Sequence, residues 1–343
     1  MKISFFFKSK QDPGISINHV MKAIVDEIAK NSTIEVSVYY IPSTGLSLKS
    51  IFSNLFFVYK HRTKQGVNHV VGEVHYLLYA LIGCKSSITV HDIGFWTVDN
   101  YSKFKRLGLY FTHLFPISLA DRIVAISNFT KNELLNSLPQ VRKRIINIPS
   151  GSVDGFNYNP KVLDKSDVTI LQNGVRPHKN LETTIRALQG LPYKLLVVRK
   201  MNNLQIQLAE KLHIRYENVY DLTSDQIKET YKKADIVCFP SSYEGFGVIP
   251  IEAQAIGRPV ITTYKEPMIS VAGNAALYIN DPKNPEELRK AIMEIINDDD
   301  LRYKLIQRGL ENVKQYSLDS ISKKYIKMFQ QISEMEAPVI PNI

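Results

Sequence analysis

Glu244 and Glu252 stand eight positions apart around the glycines of Glu244-Gly245-Phe246-Gly247-Val248. The apolar run Ile236-Val237-Cys238-Phe239 before them reads as a buried strand, and residues 249–256, with Pro250 near their start, read as a helix. Strand, glycine turn and helix start together suit an anion. Backbone N–H groups and the positive end of the helix dipole converge there, and glycines let a phosphate come close to the main chain. Carboxylates repel phosphates, so Glu244 and Glu252 are expected to accept hydrogen bonds from neutral hydroxyls, as an acidic residue does with a ribose diol. Phosphate and hydroxyls presented together are the features of a nucleotide sugar.

A second segment repeats the pattern. After an apolar strand over 168–172 comes Asn173-Gly174-Val175-Arg176-Pro177-His178-Lys179-Asn180, then a helix from Leu181. Asn180 is expected to cap that helix, and Pro177 stiffens the loop before it. Ligands of open α/β sheets bind beyond the carboxyl ends of the strands, which puts Arg176 and Lys179 on the same edge as Glu244. Two cations there can stabilise the charge that grows on a departing diphosphate. In the first half, Ile88-Thr89-Val90 runs into His91-Asp92, again at a carboxyl edge. A neutral imidazole can both donate to and accept from a sugar hydroxyl, and Asp92 is expected to orient it or to serve the acceptor side. Asp12-Pro13-Gly14 follows the first strand, where Gly14 permits close approach to a phosphate.

Two rounds of alternating strand and helix patterns position these groups, and they predict an α/β protein of two doubly wound domains. The chain has 343 residues, enough for two such domains. The first is expected over 1–160 and the second over 161–316, with a joint near 155–165 where Asn, Pro and Asp break the periodicity. Strands are expected over 3–7, 34–41, 69–74, 87–91, 122–127 and 145–148, then 168–172, 194–199, near 219, 236–240, 259–263 and 276–279. A helix is expected over 103–119, and a last one follows Ser317.

The hydrophobic fraction of 44% and charged fraction of 22% are those of an ordinary globular protein. Net charge is +10, and residues 1–165 hold 20 Lys and Arg against 11 Asp and Glu, so the excess is N-terminal. No apolar run approaches bilayer length, and the first residues are interrupted by Lys8 and Lys10 too soon for a signal peptide, so the expected compartment is the cytoplasm. Cys84 and Cys238 lack metal-type spacing and read as buried thiols.

The segment from Glu244-Gly245-Phe246-Gly247 to Ile251-Glu252-Ala253-Gln254-Ala255-Ile256-Gly257-Arg258-Pro259-Val260-Ile261 resembles retaining glycosyltransferase family 4 of the GT-B fold, as do His178-Lys179-Asn180-Leu181 and His91-Asp92. The resemblance implies two Rossmann-like domains facing a central cleft, with 317–343 crossing back onto the N-terminal, acceptor-side domain. It assigns Glu252 to the donor ribose, Glu244 to the donor sugar hydroxyls, Arg176 and Lys179 to the pyrophosphate and His91 to the sugar, beside loop residues Gly14, Asp92, Gly245, Phe246, Gly247 and Val248. The sequence departs from the family pattern in three places: Asn173 stands where glycine is usual, only one glycine follows strand one, and Ile269-Ser270 replace Pro-Glu.

The implied reaction moves a hexose-type sugar from a nucleoside-diphosphate sugar with retention of configuration. No carboxylate is identifiable as a nucleophile, which favours an ion-pair route in which the departing diphosphate helps deprotonate the acceptor. No metal and no cofactor beyond the nucleotide sugar are expected. The expected acceptor is a glycan or lipid-linked oligosaccharide of a bacterial surface polysaccharide such as lipopolysaccharide. Basic-aromatic stretches at 48–64 and 101–115 suit contact with an anionic membrane surface. A sugar-nucleotide epimerase of related architecture is the alternative enzyme. A basic nucleic-acid-binding protein would explain the charge but not the paired acids, and no nucleic-acid partner is expected.

Overall fold

A computed structural model describes residues 1–10, 15–97, 101–151 and 153–335. The chain forms two compact units, Met1–Ser150 with the segment from Leu318 onward, and Gly151–Ser317. Each is built on a six-stranded, all-parallel sheet, as expected of doubly wound α/β domains.

In the first unit the strands are β1 (Lys2–Phe7), β2 (Glu35–Tyr40), β3 (Val67–Val71), β4 (Ser86–Val90), β5 (Arg122–Ala125) and β6 (Ile145–Asn147), in the order β2-β1-β3-β4-β5-β6. β3 and β4 are buried along their whole length, and the polar side chains they bury are paired: Asn68 donates to the carbonyl of Thr63 at 2.8 Å, and His69 Nδ1 lies 2.8 Å from the Ser87 hydroxyl. Core lies on both faces. The final helix, Leu318–Glu334, places Ile321, Tyr325, Phe329 and Ile332 against Ile3, Phe5, Phe7 and Met21, and the Tyr325 hydroxyl lies 2.9 Å from that of Thr89.

The helix expected over 103–119 is interrupted. It runs as α-helix over Lys103–Leu109, as a π-helix over Tyr110–Leu114 and again as α-helix over Phe115–Ile117. Pro116 has no N–H for the carbonyl one turn back, and its ring crowds that carbonyl, so the helix widens just before it.

The second unit contains β7 (Thr169–Asn173), β8 (Lys194–Val198), β9 (Arg215–Val219), β10 (Ile236–Phe239), β11 (Val260–Thr263) and β12 (Ala276–Ile279), ordered β12-β11-β10-β7-β8-β9. Strand order reverses between β7 and β10, which pair directly. That reversal opens a crevice at their carboxyl ends. Residues 151–160 belong to this unit and not to the first. Arg258, almost fully buried, donates to the carbonyls of Asn159 at 2.7 Å and Lys232 at 3.0 Å, and Phe156 sits edge-on to Tyr231. Cys84 and Cys238 are buried free thiols. Among the described residues no helix is long and apolar enough to cross a membrane.

Candidate active site

The loops after β7 and β10 meet at the carboxyl edge of the second sheet. Ser242 donates its backbone N–H to the carbonyl of His178 at 2.8 Å. The Asn180 side-chain amide donates to the carbonyl of Pro240 and to the Ser242 hydroxyl, each at 2.7 Å. This corrects the expected helix cap. Asn180 sits in the left-handed region at φ 52° and makes no side-chain cap, because its amide ties the two loops together instead.

The tie brings Lys179 and Glu244 into contact. Nζ of Lys179 donates to Oε1 of Glu244, and the Ser241 hydroxyl donates to the same oxygen at 2.6 Å. The ammonium also lies 4.6 Å from the centroid of the Phe239 ring. Gly174, at φ 116°, makes room for this lysine: a Cβ there would stand 3.0 Å from Lys179 Cγ. The glycine that serves this loop is therefore one position after the usual family place. Arg176 is exposed at the head of the short turn Pro177–Lys179. Burial, followed by the Lys179 charge, lowers the pKa of His178.

Glu252 lies in the helix Val248–Ile256, preceded by Gly247 in the left-handed region at φ 86°. Its Oε2 accepts from the Tyr231 hydroxyl at 2.7 Å, and Asn173 Nδ2 donates to that hydroxyl at 3.3 Å. Burial raises the Glu252 pKa, opposed by the Tyr231 hydrogen bond and the charge of Arg199. Arg199 follows β8 in the left-handed region at φ 92°. Asn173, the departure from the family pattern, thus supports the carboxylate assigned to the ribose.

Gly245 and Val248 are half-buried at the helix start. The expected donor contact of Phe246 does not hold for its side chain. The ring is buried edge-on to Tyr316 at 5.9 Å and occupies the space that a Cβ on Gly151 would need.

In the first unit His91 directly follows β4 and is buried. Its Nε2 is buried with no hydrogen-bond partner, and burial pushes its pKa down to about 4, so the imidazole is neutral. Asp92 accepts from the Gly94 N–H at 3.0 Å, and burial raises its pKa. Strand order in this sheet reverses between β1 and β3. Beyond their ends is a cavity of about 170 Å³ lined by Lys8, Ser43, Thr44, Glu73, Tyr76 and His113 among others. Lys8 and Glu73 pair across it at 2.9 Å. Gly14 lies outside the described residues. Among the described residues no group of three or more His, Cys, Asp or Glu is arranged to hold a metal ion.

Residues 159–312 match the family described as glycosyl transferases group 1. The chain has the GT-B fold. Among the proteins this chain is similar to is the O-antigen chain mannosyltransferase RfbU of Salmonella typhimurium, 25% identical over 310 residues, which cover 88% of this chain and 81% of the relative. A glycosyltransferase structure from Rickettsia africae covers 98% of the chain and is itself wholly covered, at 19% identity and a TM-score of 0.75. The structure of Anabaena HepE in complex with UDP-glucose covers 96% of the chain, again with all of the neighbour covered, at 14% identity and a TM-score of 0.72.

Tyr231, Ser241 and Arg199 are the site residues that sequence reasoning missed. Ser241 adjoins the motif and could have been suspected as a short polar group on the same turn. Nothing in the spacing links Tyr231 to Glu252, since they meet only through the crossover that carries the chain from one helix through β10 to the next.

Proposed function

We propose that this chain is a glycosyltransferase that moves a hexose-type sugar from a nucleoside-diphosphate sugar to a glycan or lipid-linked saccharide during assembly of a surface polysaccharide, with retention of configuration and without a metal. One observation carries the reading: Lys179 and Glu244 are held together on two stitched loops at the strand-order reversal, beside a glycine turn and a helix start. The diphosphate takes Lys179, Arg176 and the amides after Gly245. Its arrival competes with Glu244 for the lysine and frees that carboxylate for sugar hydroxyls. Glu252, with one oxygen committed to Tyr231, keeps the other for the ribose. His91 offers a neutral imidazole to a donor-sugar hydroxyl.

The bond from the anomeric carbon to the diphosphate oxygen breaks first, and Lys179 and Arg176 stabilise the charge left behind. The diphosphate oxygen then accepts the proton of the acceptor hydroxyl, whose oxygen bonds to the anomeric carbon on the same face. A mannosyltransferase relative and a structural neighbour bound to UDP-glucose support a hexosyl nucleotide as donor. The polar cavity in the first unit, with Lys8, Glu73 and His113, suits an acceptor saccharide, and a cytoplasmic site of reaction is part of the same proposal.

Thermal denaturation against a panel of UDP-, GDP- and other nucleotide sugars tests the donor site. One of them is expected to raise the melting temperature, and Glu252→Ala to abolish that rise. If none does so, the donor site is wrongly placed. With that donor, turnover persisting in excess chelator and a product of unchanged anomeric configuration by proton NMR are the expected results for mechanism.

A further inference from the structure

We infer that the first unit docks on an anionic membrane surface through an aromatic, basic face formed by the helix Leu48–His61 and the segment Lys103–Leu109 with its π-helical continuation Tyr110–Leu114. The helix Leu48–His61 turns Asn54 and Val58 inward, yet Leu48, Phe52, Phe56 and Tyr59 lie exposed at intervals of four, four and three, one continuous face. Phe52 is 69% exposed. No residue of the helix Lys103–Leu109 is buried, and Phe104, Leu107 and Phe111 are exposed on one of its sides, Phe104 at 90%.

The two stretches adjoin through the turn His75–Leu81. Arg62 donates to the carbonyl of Ala80 at 2.6 Å, the Tyr79 hydroxyl donates to the carbonyl of Phe111 at 2.8 Å, and exposed Ile82 ends the turn. Exposed apolar surface of this extent on a chain of ordinary composition marks a contact surface.

Charge decides the occupant. Residues 41–72 and 101–120 contain no Asp or Glu, but they carry Lys49, Lys60, Arg62, Lys64, Lys103, Lys105 and Arg106. The cations are set among the rings: Lys60 lies 4.6 Å from Phe56, Arg62 4.1 Å from Tyr59 and Arg106 4.5 Å from Trp96. A second copy of this chain would bring the same positive charges face to face. Anionic headgroups neutralise them, and aromatic rings sit at headgroup depth. The face also reaches Leu46 at the rim of the polar cavity, where a lipid-linked acceptor would enter if the proposed function holds.

The test requires no turnover, so its failure is separate from failure of that function. The purified full chain is sedimented with phosphatidylcholine vesicles, with and without phosphatidylglycerol. Binding is expected only with the anionic lipid. K103Q/K105Q/R106Q should weaken it roughly a hundredfold, about fivefold per cation removed, and F52S/F56S should weaken it at least about tenfold. These residues are exposed, so unchanged melting temperatures should verify folding of both variants. Equal binding to neutral vesicles, no binding at all, or full binding by F52S/F56S would overturn the inference. A dimer in solution that F52S/F56S dissolves, without vesicle binding, would assign the face to a second copy.

Discussion

Replacing Lys179 with alanine separates two roles of one side chain. In the structure its ammonium meets Glu244 Oε1 and the face of Phe239, and the two charged side chains are 13% and 14% exposed. Deleting one partner of so shielded a pair leaves a carboxylate without its counter-charge, a loss of about 3 kcal/mol for buried pairs. The Ser241 hydroxyl, still donating at 2.6 Å, brings the expected stability loss nearer ~2 kcal/mol. The catalytic loss is of another kind. A preorganised donor aimed at charge developing on the leaving group is worth roughly 10²–10³ in kcat.

Adding Glu244→Gln to Lys179→Ala removes the orphaned charge and retains an oxygen for Ser241. The double variant should recover most of the melting temperature while turnover stays low. The assay is release of nucleoside diphosphate at saturating donor, read beside thermal denaturation. If the double variant regains turnover along with stability, the lysine merely holds the loops together and the leaving-group argument is refuted. A single variant within about threefold of the parent kcat would refute it more directly.

Four further outcomes are expected. Tyr231→Phe deletes the 2.7 Å hydrogen bond to Glu252 and should raise KM for the donor about tenfold with kcat little changed, so an equal fall in kcat would argue against a ribose role. Gly174→Ala puts a Cβ 3.0 Å from Lys179 Cγ at φ 116° and should cost about 1–2 kcal/mol in chemical denaturation, together with lowered turnover. Arg258→Leu deprives the carbonyls of Asn159 and Lys232 of their donor and should destabilise the second unit by about 3 kcal/mol, while a melting temperature unchanged from the parent would contradict that. His69 and His75 are held by burial at about 3, below their ordinary 6.5, and so stay neutral in the folded chain. Their contribution is intact above pH 6.5 and is lost as pH falls toward 3, by roughly 2 kcal/mol per histidine at pH 5. Urea denaturation between pH 7 and 5 reads this directly, and a flat profile would contradict it.

Much of the architecture was legible because buried parallel strands and amphipathic helices write themselves as apolar runs and periodic faces. Strand β9 was seen only at Val219, since Arg215, Glu217 and Asn218 on a sheet edge carry little apolar signal. The widened helix before Pro116 was read as regular because its apolar spacing continues across the bulge. Phe246 looked available on a loop between glycines, and only its neighbours Tyr316 and Gly151 reveal that it is buried.

Sequence by itself determined which chemical groups stand near the carboxyl edges of the strands: Glu244, Arg176, Lys179 and His91 lie on the segments that follow strands and Glu252 on the helix after one, and that order is local. Tertiary structure alone decided their partners. Lys179 meets Glu244 because β7 and β10, far apart in the chain, pair side by side, and Asn180 then bridges their loops instead of capping its helix. The physical reason is range: helix starts and glycine turns are set by a few neighbouring residues, whereas hydrogen bonds and burial depend on which strands the crossovers bring together.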